Sequence, residues 1–497
     1  MIDITISKIN ESVLEVRGSE DILHDLYSRY SEYQAGYQFN PKFKNRIWDG
    51  KIHLFNIRTG ILPAGFLIDL LMYCKQNNVN YELDGFRLED LKEPLDEQQY
   101  LEEIENNMED SGKTLRDYQD QAVRKALTYR KGILLSCTGS GKSLMLYNII
   151  RCLRKRNFKK ILLIVPNIIL ISQMRNDFVE YGYPDADREI TMLGGGNKPN
   201  FSCPVLISTW ESLQNKESTF FEDFDAVFVD ECHGGKASKL LNIVNHCVNA
   251  RYKIGTTGTL PTDKADMLKI KSILGNVIFE LKSKELIDQG VLTTLQIANV
   301  LLKYPIDFIM ANKDRSYPEE VKMVEEYSRR NKALQVIIDH TDKSHNMLVL
   351  VNHIAHLNDV KQWINDNYPD RKVSIINGSI KSKDREEIRV GLENEDGTIL
   401  LATYATMSTG VNIPKLHEVI LYANSKSKIK VLQSIGRGLR KHKTKSKIVL
   451  YDIVDDLSYP NKKGKPILNY LMKHWQERMA YYTEQEFPTV SMELPLE

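Results

Sequence analysis

Short apolar runs punctuate the chain from residue 132 onward, and each gives way to a stretch whose apolar residues fall at helical spacing. The early runs are GILLSC (132–137), KKILLIV (159–165), CPVLIST (203–209), FDAVFVD (224–230) and RYKIGTTGTL (251–260). Their apolar side chains sit at consecutive rather than alternate positions, so both faces of each strand must be covered. That is the condition of an open parallel sheet with helices on either side. A second series follows in NMLVLV (346–351), RKVSIINGSI (371–380), GTILLAT (397–403) and HEVILYANS (417–425). At 497 residues the chain exceeds one core, and about 150 residues per domain implies about three domains.

Ligands of such sheets bind at the carboxyl ends of the strands. Two segments carry the Gly-Lys-Ser/Thr ending of a phosphate-binding loop. In EDSGKTLRDYQ (109–119) it follows the acidic run LEEIENNMED, without a strand before it. A negative field there opposes a triphosphate, and Lys113 reads as a solvated turn residue. The second, Ser136-Cys137-Thr138-Gly139-Ser140-Gly141-Lys142-Ser143, lies between an apolar strand and the helical SLMLYNIIRCL. Its backbone N–H groups can point at phosphates, with Lys142 as a point charge and Ser143 as a Mg²⁺ ligand. Ser136 stands where the general pattern has glycine.

Phosphoryl transfer also needs a metal carboxylate and a group that orients water. FDAVFVD ends in Asp230, followed by Glu231. Asp230 suits Mg²⁺ and Glu231 suits water; the plainer reading is a strand with an acidic turn. In the second series, VLQSIGRGLRKHK (431–443) sets Arg437 and Arg440 three apart, on one helical face. They can act as arginine fingers on a γ-phosphate, or form an exposed basic helix.

The order of these elements resembles superfamily 2 helicases, nucleic-acid motors with paired RecA-like domains. LRDYQ (115–119) is similar to the adenine-recognising element ahead of motif I, which implies nucleotide contacts for Arg116 and Gln119. Ser136 to Ser143 resembles motif I, in which that family does not require the first glycine. Pro166 to Gln173 resembles motif Ia, Gly194-Gly195-Gly196 motif Ib, and Ser208-Thr209-Trp210 a further strand contact. The resemblance therefore places Pro166, Gly195, Thr209 and Trp210 on nucleic acid. Asp230-Glu231-Cys232-His233 is a DExH-type motif II, Ser408 to Pro414 resembles motif V with Gly410 at the nucleotide, and Gln433 to Arg440 fits Q-x-x-G-R-x-x-R, motif VI. Gln433, Arg437 and Arg440 join Lys142, Asp230 and Glu231 as implied catalytic residues. Thr257-Gly258-Thr259 departs from the Ser-Ala-Thr of motif III.

Within the superfamily the chain is similar to the repair and recombination helicases of large tailed phages, including GYQFNPKFKNRIWDGKIHLF (36–55) and SKSKIKVLQSIGRGLRKH (425–442). The resemblance implies an α/β fold, with two tandem RecA-like doubly wound parallel-sheet domains and a small N-terminal α+β domain. It implies ATP and Mg as cofactors and branched DNA with single-stranded regions as partner: stalled forks, Holliday junctions, D-loops and R-loops, the last bringing RNA. A monomer in the host cytoplasm, away from membranes, is expected. A double-strand translocase that does not unwind, an RNA helicase and a non-catalytic junction-binding protein share enough of these motifs to stand as alternatives.

Net charge is only +1, so local clusters must carry a polyanion. Residues 37–58 interleave Tyr37, Phe39, Phe43, Trp48 and Phe55 with Lys42, Lys44, Arg46, Lys51 and Arg58, against the single acid Asp49. The rings can stack on bases while the cations follow phosphates, or Phe39, Trp48 and Phe55 can form a small core. Expected boundaries are a nucleic-acid-binding domain over 1–90, an acidic linker over 91–110, the ATP domain over 111–290, a connector over 291–335, the arginine-finger domain over 336–457 and a helical extension over 458–497. No apolar run approaches the ~18 residues of a membrane span. The six cysteines form no CxxC pair and fit buried thiols.

Overall fold

Strands β1 (Ile4–Lys8) and β2 (Val13–Gly18) bury every second residue, so Ile4, Ile6, Leu14 and Val16 face one core. The computed structural model describes residues 2–233, 237–378, 380, 382–407, 415–423 and 445–497. It divides into two units, Met1–Leu281 and Lys282–Glu497.

The first unit opens with a small α+β domain. A separate antiparallel pair, β3 (Ser31–Tyr33) and β4 (Lys51–His53), precedes β5 (Ile61–Pro63) and β6 (Tyr81–Asp84). The sheet runs β5-β2-β1-β6, with β1 antiparallel to β2 and parallel to β6. Leu26, Tyr30, Phe55, Phe66 and Leu70 fill its core.

The same unit carries a seven-stranded sheet: β7 (Lys131–Ser136), β8 (Ile161–Val165), β9 (Ile190–Leu193), β10 (Val205–Thr209), β11 (Ala226–Asp230), β12 (Tyr252–Thr257) and β13 (Val277–Leu281). Its order is β13-β7-β12-β11-β8-β10-β9 and every pairing is parallel. All five residues of β8 and of β10 are buried, as consecutive apolar positions require. From β7 the chain crosses two strand positions before continuing in β8, and the carboxyl ends of β7, β12 and β11 meet beside that switch point.

The segment 91–110 is not a tether. The helix Glu97–Met108 packs on the helix Lys142–Lys155, with Tyr100 and Asn107 buried. Glu103 pairs with Arg156 at 2.8 Å, and the Tyr147 hydroxyl donates to the carbonyl of Asn107 at 2.8 Å.

The second unit repeats the parallel layout. Its strands are β14 (Thr294–Lys303), β15 (Met347–Val351), β16 (Val373–Ile376), β17 (Ile399–Thr403), β18 (Glu418–Leu421) and β19 (Lys447–Asp456), then the hairpin β20 (Tyr459–Pro460) and β21 (Pro466–Ile467), and finally β22 (Thr489–Pro495). The sheet runs β16-β17-β15-β18-β19-β14-β22. Segments 291–335 and 458–497, expected as connector and helical extension, thus each supply a strand to it. Buried pairs fasten helices to β19: Arg330 to Asp455 and Arg478 to Asp452, both at 2.8 Å. Asp455 also accepts from the Tyr304 hydroxyl and Asp452 from the Tyr482 hydroxyl. These added acceptor bonds to the carboxylates help keep a buried ion pair tolerable, because desolvation costs several kcal/mol per ion.

Candidate ATP site and strand-binding loops

Loop 136–143 leaves the carboxyl end of β7 and enters the helix at Lys142. Gly139 and Gly141 have φ of 88° and 83°, a left-handed conformation that turns consecutive N–H groups inward. The Ser136 hydroxyl donates to that of Ser140 at 2.6 Å inside the loop, a use for the serine in place of glycine. Gln119 braces the loop from outside. Its Nε2 donates to the Ser140 carbonyl at 2.8 Å, and its Oε1 accepts from the Arg116 N–H at 3.0 Å. A Cβ at Gly141 would lie 2.4 Å from that Nε2, so only glycine admits the brace. Thr138 and Gly139 remain partly exposed at the loop mouth.

Three strand ends converge here. Lys142 Nζ donates to the Ser136 carbonyl at 3.2 Å and lies 3.4 Å from Glu231 Oε1. The Thr256 hydroxyl donates to Asp230 Oδ1 at 2.7 Å. Burial and the Glu231 charge push Asp230 up to about 6. Burial would push Glu231 up too, but Lys142 and His233 outweigh it and hold it well below the usual carboxylate range. Burial likewise opposes the Lys142 ammonium, and Glu231 and Asp230 overcome it, so the lysine is held charged. His233 Nδ1 is 2.6 Å from the Thr257 hydroxyl and 3.2 Å from Glu231 Oε2, and Thr257 donates on to the Thr259 carbonyl at 2.7 Å. Glu231 is thereby linked through His233 to the Thr-Gly-Thr segment, and Asp230 is bonded to Thr256 just before it. Glu231 itself has φ 48°, a backbone strain of about 1–3 kcal/mol held in place by these bonds.

Tyr181 is a site neighbour that sequence reasoning missed. Its hydroxyl is 3.0 Å from Ser143 Oγ, and Lys113 lies over its ring at 4.6 Å while pairing with Glu180. Lys113 is therefore engaged rather than merely solvated. Only its distance in sequence from loop 136–143 concealed Tyr181. Among the described residues no cluster of three or more His, Cys, Asp or Glu forms a protein-only metal site. Mg²⁺ at a phosphate loop needs one or two protein oxygens beside phosphates and waters, and Asp230 with Ser143 fits that donor set.

The expected strand contacts lie on three loops of the same sheet edge. A Cβ on Gly195 would meet Ile168, two residues after Pro166, at 2.6 Å, and one on Gly194 would meet the Ser212 hydroxyl at 2.7 Å. The loops after β8, β9 and β10 therefore touch. Ile168 and Ile169 are exposed on this edge, but Thr209 and Trp210 are buried. The Thr209 hydroxyl caps the helix Trp210–Leu213, and the Trp210 ring packs in the core under Lys239. Their side chains do not reach the surface. In the small domain Phe55 is buried and the Trp48 N–H donates to the Lys51 carbonyl, whereas Lys42, Lys44 and Arg46 are exposed. Lys51 sits over the Tyr33 ring. Gly410, Gln433, Arg437 and Arg440 lie outside the described residues.

A parallel sheet with a phosphate loop, a lysine–acid pair and a second parallel sheet defines a superfamily 2 helicase motor. The chain matches the families Type III restriction enzyme, res subunit, over residues 112–262, Helicase conserved C-terminal domain over 329–442, and DNA helicase UvsW, N-terminal, over 3–84. It is 31% identical, over 98% of both chains, to the ATP-dependent DNA helicase uvsW of Enterobacteria phage T4. The crystal structure of T4 UvsW covers all of both chains at 29% identity and a TM-score of 0.53. A DNA-bound Type ISP restriction-modification enzyme, LlaBIII, shares the fold at 18% identity and a TM-score of 0.54, over 77% of this chain and 32% of that one. The chain belongs to the UvsW family of ATP-dependent helicases.

Proposed function

We propose that this chain uses ATP to move along DNA strands and to remodel branched DNA, namely forks, Holliday junctions, D-loops and R-loops, acting as a monomer. The observation that carries the reading is the 3.4 Å approach of Lys142 to Glu231 beside Asp230, on a sheet edge shared with the exposed loops after β8 and β9.

Loop 136–143 and Lys142 hold the β- and γ-phosphates, and Gln119 with Arg116 reads adenine. Glu231, kept ionised by Lys142, orients the attacking water and takes its proton. Asp230 and Ser143 would hold Mg²⁺, which supplies charge neutralisation at the phosphates. Arg437 and Arg440 add charge to the γ-phosphate, and Gln433 and Gly410 line the nucleotide. Pro166, Gly195 and the backbone at Thr209 and Trp210 contact the strand, with Lys42, Lys44, Arg46 and Lys51 on phosphates.

The test is ATP hydrolysis and strand separation across forks, junctions, R-loops and plain duplex at stated salt. Stimulation and unwinding greatest on branched DNA support the reading; hydrolysis that no nucleic acid stimulates sinks it. The match of residues 112–262 to a restriction-enzyme family supports a second reading, translocation on duplex without unwinding. Triplex displacement without fork opening would select it.

A further inference from the structure

Among the described residues, the two most exposed large apolar side chains are Phe39, at 79%, and Ile47, at 74%. They lie on one small module between β3 and β4. Its interior is packed: Tyr33 stacks on Tyr37 at 4.5 Å, and Tyr37 meets Phe43 edge-on at 4.8 Å. Asn40 caps the turn Pro41–Lys44 through the Lys42 N–H. Arg46, at φ 57°, then reverses the chain so that the N–H groups of Ile47 and Trp48 both donate to the Lys42 carbonyl. The module thus packs Tyr33, Tyr37 and Phe43 together and leaves Phe39 outside.

The frame around these two residues is positive. Lys42, Lys44 and Arg46 are exposed, and no ion pair joins them to a carboxylate among the described residues. The nearby acid, Asp49, is bonded to His53 and to the Lys51 N–H. Two exposed apolar side chains with three exposed cations between them in the chain complement a polyanion whose apolar parts are bases, at a place where those bases are unstacked.

The tip is rigidly mounted. The helix Lys264–Leu274, which follows Thr257–Thr259 in the chain, packs against β3, the root of the module, and its Leu268 packs on the small domain's core. A Cβ on Gly65 would lie 2.4 Å from the carbonyls of Lys271 and Ser272, so two backbones touch there. At the amino edge of the sheet, Lys131 donates to Glu11 at 2.9 Å and Lys253 to the Ser12 hydroxyl at 2.5 Å. The small domain and the ATP-binding sheet are one body.

We propose that Phe39 and Ile47 form a wedge that enters the base stack at a DNA branch point, held by phosphate contacts from Lys42, Lys44 and Arg46 and carried along by the ATP-driven sheet. This rests on the reading above that the motor acts on DNA. It assigns to the tip the separation of base pairs, as distinct from the grip on the strand.

The test compares the full chain with Phe39→Ser/Ile47→Ser. Both side chains are exposed, so the melting temperature should match that of the parent. The first readout needs no ATP: 2-aminopurine placed at the junction of a forked duplex brightens when the parent binds and stays dark with the variant. The second is base pairs opened per ATP hydrolysed on the same fork, expected to fall roughly tenfold or more in the variant. The proposal is overturned if the variant still brightens 2-aminopurine, or if its coupling stays within about twofold of the parent's. Loss of self-association in sedimentation, with both readouts intact, would also overturn it by assigning the tip to a protein contact. If the parent hydrolyses no ATP, the motor reading fails, while the fluorescence still judges the wedge.

Discussion

Lys142 Nζ stands 3.4 Å from Glu231 Oε1, although 89 residues separate them in the chain, and each holds the other charged inside a buried site. The pair ties the phosphate loop to the acidic end of β11.

Removing either partner should therefore stop hydrolysis while leaving DNA on the protein. Lys142→Ala and Glu231→Gln are expected to lower DNA-stimulated ATP turnover by roughly 10²–10³-fold or more, with fork affinity by anisotropy unchanged. Lys113→Ala, whose lysine pairs with Glu180, should hydrolyse ATP normally.

Gly141→Ala tests the brace from Gln119. The new Cβ would need φ near 83° and space 2.4 Å from Gln119 Nε2. Steady-state kinetics should show KM for ATP rising and kcat falling, whereas Gly196→Ala, with open space around it, should leave KM for ATP alone.

Arg437→Ala and Arg440→Ala should each reduce turnover by roughly 10³-fold or more while a fluorescent ATP analogue still binds. Near-normal turnover in both would remove the arginine-finger role.

Trp210→Ala should act on stability rather than on DNA. Trp210 is buried in the first sheet's core, so truncation is expected to cost about 3 kcal/mol or more. Trp210→Phe should recover much of the lost melting temperature, with fork affinity the same in both.

The mounting of the small domain should make stability depend on alkali. Burial and the neighbouring Lys131 ammonium lower Lys253 from 10.5 to about 7. The folded chain therefore releases at about 7 a proton that the unfolded chain keeps to about 10.5. The unfolded state binds more protons across that window, so this group's contribution to stability rises with pH from about 7 to 10.5. Urea unfolding at several pH values should show that rise in the parent and a flatter profile in Lys253→Met.

The buried strands of both sheets and the loop at Lys142 were readable in sequence because a strand covered on both faces is apolar at every position. The acids of motif II were readable because they terminate such a strand. What escaped was set by partners distant in the chain. The acidic composition of the helix Glu97–Met108 hides that Tyr100, Glu103, Asn107 and Met108 are buried, with Tyr100 bonded to Asp120, Glu103 to Arg156 and Asn107 to Tyr147. β22 lies at a sheet edge with six of its seven residues exposed, so it lacks an apolar signature. Thr209 and Trp210 carried a motif's position but not its exposure. The aromatic-basic run 37–58 left core and contact readings open, and packing divided them, with Phe55 inside and Phe39 outside.

The pairing of β14 with β22 also sets a schedule. Ile297 aligns with Thr489, so the second sheet acquires its last strand only after nearly two hundred further residues have been synthesised. Everything in Met1–Leu281 leaves the ribosome earlier. The ATP-binding half is thus free to fold during translation, while the edge of β14 stays open to mispairing until the final strand arrives.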